Sequence, residues 1–474
     1  MKIPKFNSLY LIVTACLLIV FSVSCNKSTE GRLIITQAPE TAIVPCKVRD
    51  DIQRYVQGAQ IVMLNPERPS SAKILTEDFY SACSPDVSWD GRHMLFAAQK
   101  QENDSWQIWE MDLRNKKYHQ ITSCAGNCID PAYLPIDRFV FSKQSDNDSL
   151  KSGHALFVGK LDGSGIMRIT FQPHSDYAAT VMKDGRILAI TQQLIPADGE
   201  LTYITMRPDG TKSDLFYKGD KGRSLIGRGR DNQNGVIYFT ETDSTGSKAD
   251  VVSISYNRPL ESRVNLTGSL AGNFETVFPS NSGKLLVCYS EVPGKPFALY
   301  EFDVNEKKLG KQIYDNKEIS ILDVIQVSEH ERPRKLPSEV DMGVKTGQIM
   351  CQNINFTGLG LSGEASLLNK VKRFEVLGVD TSYGIVSVEP DGSFYLKVMA
   401  DKPFRLQKLD GQGNVSGEPC AWLYLRPNER RGCIGCHEDR NLAPDNLVPL
   451  AVKKDPIMIP TYIEGIGEKK VELE

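Results

Sequence analysis

Helix-period apolar patterning is nearly absent from this 474-residue chain, which argues against an α/β enzyme. Basic excess is lacking too. Lys plus Arg is 56 against 59 acidic residues, a net charge of -3, so nothing calls for nucleic acid or anionic lipid as a partner. No Ser-His-Asp set, Gly-rich phosphate loop or paired-carboxylate signature stands out, which leaves hydrolase readings without support. Past residue 25 no apolar run is long enough to span a membrane. What remains is ordinary globular composition, 41% apolar and 24% charged, in a chain long enough for two or three compact units.

The N-terminus reads as a targeting segment. Lys2 and Lys5 precede an apolar run from Leu9 to Phe21, and Ser22-Val23-Ser24-Cys25 follows it. The run is short for a bilayer. Small residues ending in Cys resemble a bacterial lipobox, with Cys25 lipidated as the mature N-terminus, although Ser22 stands where an aliphatic residue is usual. Simple signal-peptidase cleavage nearby is the alternative. Both export the chain, and the first makes it a lipoprotein on the periplasmic or outer-membrane face of a bacterial cell envelope.

Export changes what eleven cysteines mean. Outside the reducing cytosol they are disulfides, anchors or cofactor links. Cys16 and Cys25 lie in the signal region and two more in the motif below. Cys46, Cys83, Cys124, Cys128, Cys288, Cys351 and Cys420 remain, an odd number, with Cys124 and Cys128 close enough to pair in a short loop.

A repeat of roughly 45 residues runs along the first two thirds of the chain. Asp86-Val87-Ser88-Trp89-Asp90-Gly91-Arg92 leads into Met94-Leu95-Phe96-Ala97. Asp130-Pro131-Ala132-Tyr133-Leu134-Pro135 leads into Phe139-Val140-Phe141, and Asp176-Tyr177-Ala178 leads through Lys183-Asp184-Gly185-Arg186 into Ile187-Leu188-Ala189-Ile190. Weaker copies open at Asn234-Gly235 and Ser282-Gly283. Each continues with an alternating strand, a polar turn and a closing strand, as at Gln107 to Asp112 and Ala298 to Asp303. This is the period of a four-stranded propeller blade, and stacking blades in a ring buries faces that one blade cannot bury alone. Strands at Gln60 to Leu64 and Ile319 to Asp323 flank the five copies and could complete a closing blade. The expected fold is therefore mainly β, a six-bladed propeller (seven the alternative) over residues 26–335. The individual repeats resemble those of TolB-type propellers.

After residue 330 a charged, proline-rich linker leads to a small β-sandwich-like unit over 336–425. Its expected strands include Tyr383 to Val388, Ser393 to Val398, Phe404 to Leu409 and Ala421 to Leu425. A haem-bearing C-terminal segment, 426–474, completes the expectation.

Cys433-Ile434-Gly435-Cys436-His437 carries the chemistry. In a Cys-x-x-Cys-His sequence both thiols add across the vinyl groups of one haem, and the adjacent His ligates iron. A plain disulfide, a redox-active Cys-x-x-Cys or half of a zinc site are the alternatives. The segment after His437 is too short for the usual small cytochrome domain, so one covalent haem c is expected in the β framework, at the sandwich–propeller interface or over the propeller funnel. His437 is the proximal ligand. His174, just before an inner strand, and Met458, in a proline-flanked tail, are the distal candidates, with an open site the third option. His119 and His154 fall in polar turns and read as solvated.

Several runs together are similar to the haem-bearing middle region of hydrazine synthase α-subunit-like proteins. They are Gly384-Ile385-Val386-Ser387-Val388-Glu389-Pro390-Asp391-Gly392-Ser393-Phe394-Tyr395, Ala400-Asp401-Lys402-Pro403, and Arg426-Pro427-Asn428-Glu429-Arg430-Arg431 ahead of the Cys motif. Asp130 to Pro135 matches a blade motif of the same family. The resemblance implies a propeller with a c-haem held by Cys433 and Cys436. In that family a Tyr four residues after the motif His ligates iron; Asn441 stands there in this chain, and no second Cys-x-x-Cys-His follows. Three function classes follow from these readings. The favoured one is an envelope haem protein in electron transfer with a redox partner protein. The others are a haem oxidoreductase on a small nitrogen or oxygen compound, and a propeller scaffold without haem.

Overall fold

Alternating strands joined by tight polar turns pair with their chain neighbours, and here they do so sheet after sheet. The structure is a computed structural model, describing residues 29–39, 55–147, 150–192, 201–219, 222–243, 245–292, 294–356, 370–435 and 447–459. Six antiparallel sheets of four or five strands follow the repeat, and the described residues contain no α-helix. One comprises Ser81–Val87, His93–Gln99, Gln107–Asp112 and Tyr118–Gln120; the next Cys128–Leu134, Arg138–Asn147, Leu150–Lys160 and Met167–Arg168. The fourth runs from Asp176–Val181 to Asp214–Tyr217, the fifth is built on Val236–Asp243 and Ala249–Ser255, and the sixth runs from Asn273–Pro279 to Lys308–Tyr314. In the first sheet Ile319–Gln326 pairs with Leu33–Pro39, which pairs with Gln60–Asn65. The two flanking strands thus share one sheet, and the last strand of the propeller joins it to the first.

Apolar clusters fill the space between successive sheets, as stacked blades require. Ile190 and Tyr203 of the fourth pack with Phe239 and Val252 of the fifth; Val140 and Leu156 of the third pack with Ala189 and Ile204 of the fourth. The first strands are bulged at one recurrent place, between Cys83 and Asp86, Ile129 and Ala132, and Tyr177 and Thr180. Asp130 uses its bulge to stitch three sheets together. Its carboxylate accepts from the Ser84 hydroxyl (2.9 Å) and the Ala178 amide (3.0 Å). Arg228 and Arg230 close the centre with ion pairs to Asp130 (3.4 Å) and Asp323 (3.1 Å).

The linker crosses the sheets at the C-terminal ends of their first strands. His330 donates its amide to the Trp89 carbonyl and Arg334 to that of Lys183. Beneath it lies a cavity of about 530 Å³, lined by Asp86, Lys183, Arg230, Asp231 and His330 among others. Gly185 (φ +89°) sits so close to the linker that an added Cβ would come 2.0 Å from the Arg334 carbonyl oxygen.

The second unit is a sandwich of two sheets. One has the order Arg430–Cys433, Thr346–Cys351, Phe394–Met399, Ile457–Ile459; the other Ser382–Ser387, Arg373–Leu377, Arg405–Leu409. Phe374, Val376, Phe394, Leu396 and Leu406 meet in the core between them. Two expectations are corrected. The segment after 425 is not a separate tail, since it supplies both edge strands of the first sheet by parallel pairing. The strand expected from Ala421 to Leu425 shrinks to a single bridge, Leu423 with Phe404. Its side chains have other partners: Trp422 stacks under Arg405, and the Tyr424 hydroxyl donates to the Gly210 carbonyl of the propeller (3.1 Å).

Candidate functional site

The strand carrying Cys433 is fixed by its neighbours in the chain's second unit. Arg430–Cys433 lies parallel to Thr346–Cys351 with Cys433 level with Cys351. The contact continues past the strand ends, where the Gln352 amide donates to the Cys433 carbonyl (2.8 Å) and the Asn353 amide to that of Ile434 (3.1 Å). At Gly435 the two segments touch: a Cβ there would come 2.1 Å from the Phe356 carbonyl oxygen. Only glycine permits this approach. Cys433 is half-buried against the sandwich core. Cys436 and His437 lie outside the described residues, as does Cys25.

The run Arg426 to Arg431 clamps this strand to the fourth propeller sheet. Glu429 is fully buried and collects donors from both units: the Lys212 amide (2.9 Å) from the propeller, the Arg426 amide (2.8 Å) and the Arg431 guanidinium (2.8 Å) from the sandwich. Arg426, also buried, donates to the Asp209 carbonyl (2.9 Å) and the Asp401 carboxylate (2.6 Å), and covers the Phe171 ring. Lys212 adds a bond from its ammonium to the Arg430 carbonyl (2.6 Å). Burial pulls the Arg431 guanidinium down, but the Glu429 charge more than offsets it and leaves the group more basic than usual. Of these residues Arg426 to Arg431 and Asp401 belong to runs marked in the sequence. Asp209, Lys212 and Tyr424 carry no sequence signal, because they matter only where two distant turns meet.

The Glu389-Pro390-Asp391-Gly392 turn holds the other edge strand. Asp391 accepts from the Leu450 amide (2.8 Å), Ser393 from that of Ala451 (3.0 Å), and Lys454 pairs with Glu389 (2.7 Å). Ile457–Ile459 therefore folds back as expected of the tail, but at the edge opposite Cys433, with two strands between. At about 4.8 Å per strand that separates the edges by about 14 Å. Met458 is 45% exposed there, and the structure does not bring it to Cys433.

His174 is half-buried just before Asp176–Val181, and its Nε2 meets no hydrogen-bond partner among the described residues. Burial, then the charge of Arg405 from the sandwich, holds its pKa below the usual histidine value. Beside it Asp176 is buried and its carboxyl is pushed up to about 6 by desolvation, with the Thr191 and Thr170 hydroxyls and Arg168 only partly offsetting it. His119 is exposed as expected and lies 3.8 Å from Glu110. His154 is not solvated. The strand Leu150–Lys160 extends through the expected turn, burying the ring against the Tyr55 hydroxyl while its amide donates to the Ser175 hydroxyl (3.0 Å). No group of three or more His, Cys, Asp or Glu able to hold a metal ion occurs among the described residues, and none of their helices is long and apolar enough to cross a membrane.

Comparison with known proteins follows the same division. The hydrazine synthase subunit alpha of Kuenenia stuttgartiensis is 22% identical over 550 residues, spanning 87% of this chain and 67% of its own. The solved Kuenenia stuttgartiensis hydrazine synthase superposes with a TM-score of 0.76 at 19% identity, covering 90% of this chain and 71% of that one. TolB from Acinetobacter baumannii gives a TM-score of 0.43 at 16% identity, over 62% and 66% of the two chains. The chain is thus similar along most of its length to the hydrazine synthase alpha subunit, and its residues 329–438 match the family described as the hydrazine synthase alpha subunit middle domain.

Proposed function

We propose that this chain is a cell-envelope lipoprotein that holds one c-type haem through Cys433 and Cys436, with His437 as an iron ligand, and works in electron transfer. The observation that supports it is the fixed backbone of Cys433-Ile434-Gly435, bonded along 351–356 and clamped to the propeller through Glu429. A covalent attachment sequence gains from such rigidity, because both thiols must reach one porphyrin edge. When bound, the haem supplies one-electron chemistry at its iron. The chain's part is to anchor it with two thioethers, ligate it from His437 and shield it with the sandwich edge.

The test is a pyridine haemochrome spectrum of protein made in a host that matures c-type cytochromes, after denaturation and acid–acetone extraction. A c-type band that stays with the polypeptide is expected, lost in Cys433→Ala together with Cys436→Ala. A colourless polypeptide beside a matured control cytochrome overturns the reading and leaves a propeller scaffold. Labelling with a radioactive fatty acid, lost in Cys25→Ser, checks the lipid anchor.

The similarity to a hydrazine synthase subunit supports a second reading, redox chemistry on a small nitrogen compound. Carbon monoxide added to the reduced protein separates the two. A shifted Soret band means an open coordination position and favours catalysis; an unchanged spectrum means a second protein ligand, for which His174 is the candidate, and favours electron transfer.

A further inference from the structure

Two cysteines of the third sheet have no part in the site above. Cys124 and Cys128 bracket Ala125-Gly126-Asn127, the loop that enters Cys128–Leu134. The buried side chain of Gln107 grips this loop from beneath. Its Oε1 accepts from the Cys124 amide (3.1 Å) and the Thr122 hydroxyl (2.8 Å), and its Nε2 donates to the carbonyls of Cys124 (3.1 Å) and Gly126 (3.3 Å). Asn127 is held from both sides, its Oδ1 by the Trp106 amide (3.0 Å) and its carbonyl by the Gln144 amide (2.8 Å). Gly126, at φ +84°, lets the chain double back between the two thiols. The two cysteines stand at the two ends of this doubled-back loop, with three residues between them, and no disulfide joins them.

The two thiols are not equivalent. Cys128 is fully buried while Cys124 is half-buried at the rim. The hydrogen bond from Cys128, against burial and aided by the Lys143 charge, brings the Cys124 thiol down to about 6, while the same bond and burial push Cys128 well up. An accessible thiolate beside a buried thiol is the arrangement of an attacking and a resolving cysteine. By contrast Cys288 is entirely buried and its pKa lies well above the usual thiol range, which makes it inert.

We propose that Cys124 and Cys128 form a reversible dithiol–disulfide couple, with Cys124 as the attacking thiol and Cys128 as the resolving one. The oxidant class is an incoming disulfide, carried by a small thiol compound or an exchange protein. Cys124 Sγ bonds to one of its sulfurs, the incoming S–S bond breaks, and one thiolate leaves with the electron pair. Cys128 then loses its proton, its Sγ bonds to Cys124 Sγ, and the second thiolate is expelled. The pair gives up two electrons and two protons, and the incoming disulfide becomes two thiols.

The test uses the full chain, reduced, freed of reductant and treated with glutathione disulfide, then denatured and alkylated. Trypsin releases residues 118–138 as one peptide that contains both cysteines and no other. The expected peptide is unlabelled and lighter by two hydrogens, and it takes two labels after reduction. In Cys128→Ser the expected species is a mixed disulfide of Cys124 with glutathione; in Cys124→Ser, Cys128 stays unmodified in the native protein. Two labels on the treated wild-type peptide overturn the couple, a result that depends on no variant folding. Glutathionylation of Cys128 in Cys124→Ser, as fast as that of Cys124 in Cys128→Ser, overturns the assignment of roles.

Discussion

The propeller and the sandwich solve the same problem, holding strands in register, by different means. In the propeller the repeat does it: five sheets are each built from one continuous stretch of chain, only the first borrows a strand from far along it, and apolar clusters between neighbours carry the packing. Charge enters there mainly as stitching at the bulges and centre, through Asp130, Arg228 and Arg230. In the sandwich both edge strands arrive from far along the chain and pair in parallel, so no turn sets their register. Buried polar clamps set it instead, Glu429 with Arg426 and Arg431 at one edge and Asp391 with Ser393 at the other. Apolar packing tolerates many arrangements, whereas a buried charge network tolerates few. The clamp is therefore found at the strand that carries Cys433.

The largest effect expected from this contrast is at Glu429. Removing one partner of a buried ion pair leaves the other unpaired, at a cost of about 3–5 kcal/mol. Glu429→Ala strands Arg431 and the Arg426 amide on its own side and the Lys212 amide across the interface, so urea unfolding should show that loss and split into two transitions as the sandwich uncouples from the propeller. Glu241 is the matching control. It is fully buried and held by Arg263 beside the fifth sheet (2.8 Å) and the Tyr217 hydroxyl of the fourth (2.5 Å), all within the propeller. Glu241→Ala should destabilise comparably without splitting the transition. Equal behaviour of the two variants would show that the clamp holds nothing that an ordinary blade pair does not.

The same contrast decides what could be read from the sequence. Five sheets were legible because a polar turn opens each copy at a steady period, with glycine in four of the five, at Gly91, Gly185, Gly235 and Gly283. The first sheet was legible only in part, since Leu33–Pro39 lies outside any repeat copy and finds its place by pairing with a strand almost three hundred residues on. Cys433, Cys436 and His437 stand out by spacing alone. Their setting does not: the parallel pairing of Arg430–Cys433 with Thr346–Cys351 has no local signal, and the run Arg426 to Arg431, marked only by the family resemblance, does not show that Glu429 is buried at its centre. His154 was misread for the opposite reason, because a polar Lys151-Ser152-Gly153 stretch lies within a strand that simply continues.

Next in size is Asp176, which stands against the interface without the partners Asp130 enjoys. Its pKa in the folded chain is about 6, against an ordinary 3.8. The folded state therefore holds a proton more firmly than the unfolded one. The stability this gives is full below about pH 4 and is lost as pH rises through 6. At 1.36 kcal/mol per unit the loss approaches about 3 kcal/mol above pH 7. Asp176→Asn, which cannot ionise, should be about 2–3 kcal/mol more stable than the wild type at pH 7.5 and no more stable at pH 4, measured by denaturant midpoints at both. A difference that does not change with pH would mean the carboxyl is not what titrates.

The smallest expected effect separates turns that look alike in the sequence. Gly185 and Gly283 both follow a strand of the repeat, with φ of +89° and +81°. Around Gly283 nothing lies within 4 Å of an added Cβ, while at Gly185 the Arg334 carbonyl oxygen would be 2.0 Å away and the Leu336 side chain 3.2 Å. An alanine forced to positive φ costs about 1 kcal/mol. Gly283→Ala should lose that amount and nothing else. Gly185→Ala should lose more, because the linker must lift from the fourth sheet to admit the methyl group. Limited proteolysis with trypsin separates the two terms: cleavage after Arg334 or Lys335 should speed up in Gly185→Ala and stay at the wild-type rate in Gly283→Ala. Equal rates would show that the linker is held by its other contacts, at Trp89 and Arg207, and that the turn under it is only a turn.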